Sequence, residues 1–146
     1  MANTQVFFVV GHANSGKSKT LRALTGGSHR VRKVVIDSRS FVIKRMSNDD
    51  FPEPWASFVG QLDPTRNSHA IVAMCPKLEA LPIFEALRNR YDLFFWVICD
   101  SYTHNQDVSA GDLQMLRPLG RVEVFEGRPE AEVRAAALLQ FISNHP

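Results

Sequence analysis

Apolar positions along the chain fall into short runs that have the length of β-strands. Three of these runs, at 6–10, 69–75 and 93–99, predict strands, and the first is continuous and rich in Val and Phe, which is typical of a strand that is covered on both faces. The run KVVID at 33–37 predicts a further strand, and the alternating stretch RVEVF at 121–125 predicts an edge strand. Five strands are therefore expected.

Helical spacing of apolar residues occurs between these runs. The predicted helices span 17–25, 78–90, 107–116 and 129–142. The first ends at Gly26-Gly27, the third can start at an acidic residue or at Ser109 as cap, and the last has Pro129 in its first turn. Strands that alternate with helices predict an α/β fold, a three-layer sandwich with a mainly parallel five-stranded sheet.

The segment 38–68 has a weaker pattern than the rest of the chain. Its SFVIK is compatible with another strand, whereas NDDFPEPW has the composition of a loop. We expect a single domain over 1–146 with an irregular insertion or lid at 38–68. Trp55 and Phe58 within it are either core residues or anchors for a partner or a nucleotide base.

Composition narrows the class of protein. The 146 residues are 45% hydrophobic and 22% charged, with a formal net charge of +2, which is too small an excess to favour a nucleic-acid partner. We expect no membrane span and no signal peptide, and hence a cytoplasmic protein. Cys75 and Cys99 each end an apolar run, which favours buried thiols over a disulfide.

The stretch GHANSGKS at 11–18 fits the pattern G-x-x-x-x-G-K-[ST], and it lies between a predicted strand and a predicted helix. Glycines let the backbone approach a phosphate closely, and the N–H groups that follow point into the anion. A lysine at position 17 reaches the terminal phosphates, and a hydroxyl at position 18 ligates magnesium. The candidate binding residues are Gly11, Asn14, Ser15, Gly16, Lys17, Ser18 and Lys19.

On this motif the chain resembles the P-loop NTPase superfamily, and its layout looks like that of small P-loop kinases and NTPases. The resemblance implies that the chain binds a nucleotide with Mg²⁺. Lys19 departs from the family, which usually has Ser or Thr at this position. THNQD at 103–107 has the wrong spacing for a guanine-reading motif, and D-x-x-G is missing after the third strand, so ATP is favoured over GTP.

The resemblance also implies an acid at the end of an apolar strand that holds the magnesium shell. Asp100 follows the run 93–99, whose strand lies beside the P-loop strand in the common P-loop folds, so Asp100 is the candidate second metal residue beside Ser18. A helix cap or turn carboxylate is the alternative role of Asp100. Asp37 follows the second strand, where small P-loop kinases place an acid for the acceptor substrate. Its alternative is a surface turn.

Three functions are compatible with these residues. The first is a Mg-dependent kinase or NTPase in which Lys17, Asp37 and Asp100 are the candidate catalytic residues, with an unidentified small-molecule acceptor in the case of a kinase. The second is a nucleotide-dependent binding or switch module with little catalysis that acts on a protein partner, and a degenerate scaffold is a third. Six Lys or Arg residues lie in 28–45, and they predict either a phosphate-binding face or a solvated one.

Overall fold

A computed structural model describes residues 4–11, 16–27, 32–48, 52–65, 69–99, 108–126 and 130–146 of the chain. The strands within them are β1 (Gln5–Val10), β2 (Lys33–Ile36), β3 (Arg39–Lys44), β4 (His69–Met74), β5 (Asp92–Ile98) and β6 (Arg121–Phe125). The helices are α1 (Lys17–Leu24), α2 (Pro52–Gly60), α3 (Leu81–Leu87), α4 (Ala110–Leu116) and α5 (Ala131–Ser143), and a 3₁₀ turn at Leu78–Ala80 leads into α3.

The strands form one sheet in the order β2-β3-β4-β1-β5-β6. All neighbours are parallel except β2, which pairs antiparallel with β3. We call the edge where the five parallel strands end the carboxyl edge, and the opposite one the amino edge. The α/β prediction is confirmed, and the sheet has six strands where five were expected. The additional strand is β3, which contains the SFVIK stretch.

Strand β1 lies in the middle of the sheet, and all six of its residues are buried. Its last residue, Val10, is paired with Met74 of β4 on one side and with Val97 of β5 on the other. Phenylalanine rings reinforce the pairing with β5, since Phe7 stacks on Phe94 at a centroid distance of 4.5 Å. The segment that follows β1 therefore begins at a strand that is buried and paired on both sides.

Helices cover both faces of the sheet, which confirms the three-layer sandwich. On one face, Phe8 and Val10 of β1 pack with residues of α2, α3 and α4, including Trp55 and Phe84. On the other face, Phe7 of β1 packs with residues of α1 and α5. Side chains from successive β1 positions thus enter two separate cores, as the alternation along a strand requires.

The described parts of the segment 38–68 are built into the sheet and the core. Strand β3 lies between β2 and β4, and Trp55 of α2 is only 1% exposed. The Trp55 indole Nε1 donates a hydrogen bond of 2.8 Å to the carbonyl of Ala73 in β4. Of the two roles foreseen for Trp55, core packing is confirmed. Phe58 is half-buried, with Lys44 Nζ 5.6 Å from its ring centroid.

The structure also bears on the cap of α4, the two cysteines and the expected absence of a membrane span. Ser109 caps α4 through a capping box with Asp112, and Cys75 and Cys99 are thiols, the first buried and the second half-buried. In the described part of the chain, no helix is long and apolar enough to cross a membrane.

Candidate functional site

The stretch GHANSGKS at 11–18, called the glycine segment below, begins where β1 ends, at the carboxyl edge of the sheet. Gly11 is buried, and its N–H donates a hydrogen bond of 3.0 Å to the carbonyl of Met74, the last residue of β4. Residues 12–15, which include the candidates Asn14 and Ser15, lie outside the described residues. The segment is described again from Gly16, which directly precedes helix α1.

Gly16 has a backbone conformation that favours glycine. Its φ of 98° lies in the left-handed region. Gly16 is the N-cap residue of α1, and this cap has no side-chain hydrogen bond. A Cβ atom added to Gly16 would lie only 2.8 Å from Nη2 of Arg134. A glycine in this conformation directly before α1 is what the motif predicts at position 16, and the positive end of the α1 dipole lies at the same place.

The side chain of Lys17, near the end of the glycine segment, reaches back to Gly11 at its start. The side chain is buried, with 7% of the residue exposed, and Nζ donates a hydrogen bond of 2.6 Å to the carbonyl of Gly11. An ammonium group is thereby held against the start of the glycine segment rather than in solvent. Ser18 and Lys19, which follow in the first turn of α1, are both exposed and accessible to a ligand.

Asp100 lies outside the described residues, as do 101–107, so its metal role stays a prediction. The strand that leads to it is in the expected position. β5 pairs with β1 in parallel up to Val97 opposite Val10, and its end is therefore at the carboxyl edge with the glycine segment. Among the described residues, no group of three or more His, Cys, Asp or Glu side chains is placed to hold a metal ion.

The structure separates Asp37 from the glycine segment, which corrects the expectation that it helps place an acceptor there. Because β2 is antiparallel to β3, the end of β2 lies at the amino edge, opposite the edge that carries Lys17. Asp37 and Ser38 have φ values of 50° and 65° and form the turn between the two strands. The alternative role, a surface turn, is the one observed.

Arg39, the expected neighbour of an acceptor, also lies at the amino edge. Its guanidinium group donates to the side chain of Gln5 and to the carbonyls of Ile142 and His145, the latter two over 2.9 Å. The described basic residues of 28–45 do not form one face, because Lys44 contacts the Phe58 ring and Arg45 donates to Thr25. The phosphate-binding face is therefore not supported by these residues.

The residue that follows β4, the other neighbour of β1, is hydrogen-bonded to the side-chain amide of Asn48. The N–H of Cys75 donates to Oδ1 of Asn48 over 2.6 Å, and Nδ2 of Asn48 donates to the Cys75 carbonyl over 3.0 Å. Both groups are buried. The chain continues with Pro76 and Lys77, so β4 is not followed directly by an acidic residue. Sequence reasoning identified the missing acid but not the role of Asn48.

A cavity of about 370 Å³ lies next to this amide, between α2 and the start of α3. It is called the α2–α3 cavity below. Its lining residues are Asn48, Pro52, Trp55, Ala56, Lys77, Glu79, Ala80 and Ile83. The cavity thus combines an apolar wall with an amide, an ammonium group and a carboxylate, and Asn48 joins it to the carboxyl edge of the sheet.

Comparisons with known proteins agree with the fold. No family model matches the sequence, and no curated protein matches it either. An unliganded sugar kinase from Janibacter sp. is similar in structure, with a TM-score of 0.53 and 16% identity over 96% of this chain and 95% of that chain. A shikimate kinase from Acinetobacter baumannii in complex with shikimate has a TM-score of 0.49 and 15% identity over 97% and 94%. The first similarity shows that the two chains share an α/β fold.

Proposed function

We propose that the chain is an ATP-binding P-loop protein that acts as a Mg-dependent kinase or NTPase. The observation that carries the proposal is the pair formed by Lys17 and Gly16. A buried ammonium group is held 2.6 Å from the Gly11 carbonyl, directly after a glycine in the left-handed conformation, and no side chain caps the start of α1. This combination suits the binding of phosphates, because the charge and the helix dipole act at one place.

Magnesium fits the same site. The exposed Ser18 hydroxyl is one proposed ligand, and Asp100 is the other. The ion supplies neutralisation of the phosphate charge when it is bound. Lys17 would then stabilise charge that develops on the transferred phosphoryl group, which is the main task of a protein in this kind of reaction.

The α2–α3 cavity supports transfer to an acceptor rather than to water alone. It is at the carboxyl edge, as is the glycine segment, and its volume of about 370 Å³ suits a small molecule. Lys77 and Glu79 offer charges of both signs, and Trp55 and Ile83 offer an apolar wall. The acceptor proposed for this cavity is a small polar molecule with a hydroxyl group, because phosphoryl transfer requires a nucleophilic oxygen.

Titration with Mg-ATP and Mg-GTP, with ADP and GDP production followed in the same samples, tests the proposal. We expect tighter binding of ATP than of GTP, slow turnover without acceptor, and faster ADP production when the correct hydroxyl compound is added. Absence of binding by either nucleotide would overturn the proposed function. Tighter binding of GTP would overturn the choice of base.

One observation favours a second function, a nucleotide-dependent switch with little catalysis. The β4 end beside the glycine segment is closed by the Asn48 amide, which cannot take up a proton or replace a carboxylate as a charged metal ligand. A switch would hold ATP intact and change conformation on binding it. Bound ATP that remains unhydrolysed with every acceptor tried, together with a nucleotide-dependent change in protease sensitivity, would favour this second function.

A further inference from the structure

Arg134 is a buried cation from the far end of the chain that lies against the start of α1. It belongs to the first turns of α5, and only 4% of it is exposed. Its Nε donates a hydrogen bond of 2.8 Å to the hydroxyl oxygen of Thr20, a residue 114 positions earlier in the sequence. A buried guanidinium group has a high desolvation cost, and the hydrogen bond to Thr20 offsets part of it.

Thr20 passes this contact on to the glycine segment. Its hydroxyl donates to the Gly16 carbonyl over 2.7 Å, and its backbone N–H donates to the same carbonyl over 2.9 Å. Because a hydroxyl has one proton and two lone pairs, it can donate to Gly16 while it accepts from Arg134. Arg134, Thr20 and Gly16 therefore form one connected chain of hydrogen bonds.

The guanidinium group also occupies the space that a side chain at position 16 would need. A Cβ atom at this position would lie 2.8 Å from Nη2 of Arg134 and 3.1 Å from its Cζ. Glycine is thus favoured for its φ of 98°, and a second requirement arises because a side chain here would have to displace the Arg134 guanidinium group. The second requirement does not follow from the glycine-rich motif alone.

We propose that Arg134 is a positioning residue of the phosphate site, which holds Gly16 and the first turn of α1 in the conformation that receives the nucleotide. The proposal rests on the nucleotide binding proposed above. Arg134 acts in two ways: it fixes the Gly16 carbonyl through Thr20, and it adds a positive charge beside Gly16. It thereby makes nucleotide affinity depend on how α5 packs against α1.

Two substitutions at Arg134 separate its charge from its geometry. Arg134→Gln keeps a polar group and removes the charge, and Arg134→Lys keeps the charge and removes the planar fork. We expect Arg134→Gln to weaken Mg-ATP binding about tenfold and Arg134→Lys to weaken it less. Calorimetric titration measures the affinity, and thermal unfolding of the same samples shows that the variants are folded during the titration.

Thr20 supplies a second, milder route to the same test. Thr20→Val removes the hydroxyl with little change in shape, and Thr20→Ser keeps it. We expect Thr20→Val to weaken Mg-ATP binding and Thr20→Ser to leave it near that of the unaltered protein. The double variant with Arg134→Gln should bind no more weakly than the weaker single variant, because both changes break one chain of hydrogen bonds. Additive losses would contradict this coupling.

Arg39→Gln is the matched control. Arg39 is a partly buried arginine that holds the other end of α5, through the carbonyls of Ile142 and His145, at the amino edge. We expect it to lower the unfolding temperature without weakening Mg-ATP binding. An equal loss of affinity in Arg39→Gln, or an unchanged affinity in Arg134→Gln, overturns the proposal and leaves the proposed function standing. Absence of Mg-ATP binding by the unaltered protein overturns both.

Discussion

At the scale of single residues, the site depends on how a lysine is kept in place before any ligand arrives. Lys17 is 7% exposed and its ammonium group is bonded to the Gly11 carbonyl, so part of the cost of ordering a long side chain is met in the unliganded fold. Binding of phosphate would exchange the carbonyl for a charged acceptor. Charge-assisted hydrogen bonds are the stronger kind, which makes the exchange favourable.

Replacement of this lysine is the most direct test at the residue scale. We expect Lys17→Ala to weaken Mg-ATP binding about a hundredfold, since it removes a charged donor from the proposed phosphate site. Arg22→Ala is the matched control, because Arg22 lies on the same helix but donates to Gly27 at its other end. Calorimetric titration of both variants checks the prediction. Unchanged affinity in Lys17→Ala would show that phosphates do not bind here.

At the scale of elements, the β2–β3 hairpin determines where Asp37 lies relative to the glycine segment. Positive φ values at two successive turn residues are typical of the type I′ turns that join antiparallel strands closely. Glycine adopts this conformation more readily than serine, so the turn has a residue that is not ideal at position 38. The same turn keeps Asp37 at the amino edge, with Arg39 Nη2 3.8 Å from its carboxylate.

Ser38→Gly should therefore stabilise the protein, by about 0.5–1 kcal/mol, because Asp-Gly is a preferred pair in such turns. Ser40→Gly, in the exposed part of strand β3, is the control and should destabilise it by a similar amount. Chemical denaturation gives both free energies of unfolding.

A further variant, Asp37→Asn, should leave Mg-ATP affinity and turnover unchanged. A loss of turnover would return Asp37 to the active site.

Sequence predicts some of these elements better than others. Strands β1, β4 and β5 were predictable because they are buried on both faces and therefore continuously apolar. The direction of β2 was not, since Asp37-Ser38 lacks the glycine that marks a type I′ turn. Arg134 was missed as well. A charged residue in a helical pattern reads as exposed, and its partner Thr20 is 114 residues away, so no local signal connects them.

At the scale of the whole molecule, a polar cluster at the amino edge joins the beginning of the described chain to its end. Nε2 of Gln5 donates to the His145 carbonyl over 2.7 Å, and the Gln5 N–H donates to Nδ1 of His69 over 2.9 Å. Arg39 completes the cluster from β3. Strands β1, β3 and β4 and the end of helix α5 are thus held together at the edge opposite the glycine segment.

This cluster makes stability depend on pH. Burial and the neighbouring Arg39 lower the pKa of His69 below its ordinary value of 6.5, and burial and Arg121 lower the pKa of His145. The unfolded chain therefore binds these protons first as the pH falls. The contribution of the two histidines to the free energy of unfolding is complete above about pH 6.5. It is lost as the pH drops from there towards their lower pKa in the folded state.

Urea denaturation between about pH 8 and about pH 5 measures this loss. We expect the free energy of unfolding to fall below about pH 6.5 and to fall less steeply in His69→Gln, which removes one of the two titrating rings. His69→Gln should be less stable above that pH, because the acceptor for the Gln5 N–H is weakened. An unchanged slope in this variant would show that His69 does not titrate in this range.

The central position of β1 has a consequence for amide hydrogen exchange. Because β1 is paired on both sides and buried on both faces, the amides of 7–9 should exchange only when the whole domain unfolds. A ligand that binds the folded chain slows such exchange by the factor by which it shifts unfolding, about a hundredfold at a hundred times its Kd. The amides of β1 thus report the affinity of the segment they lead into, without any assay of turnover.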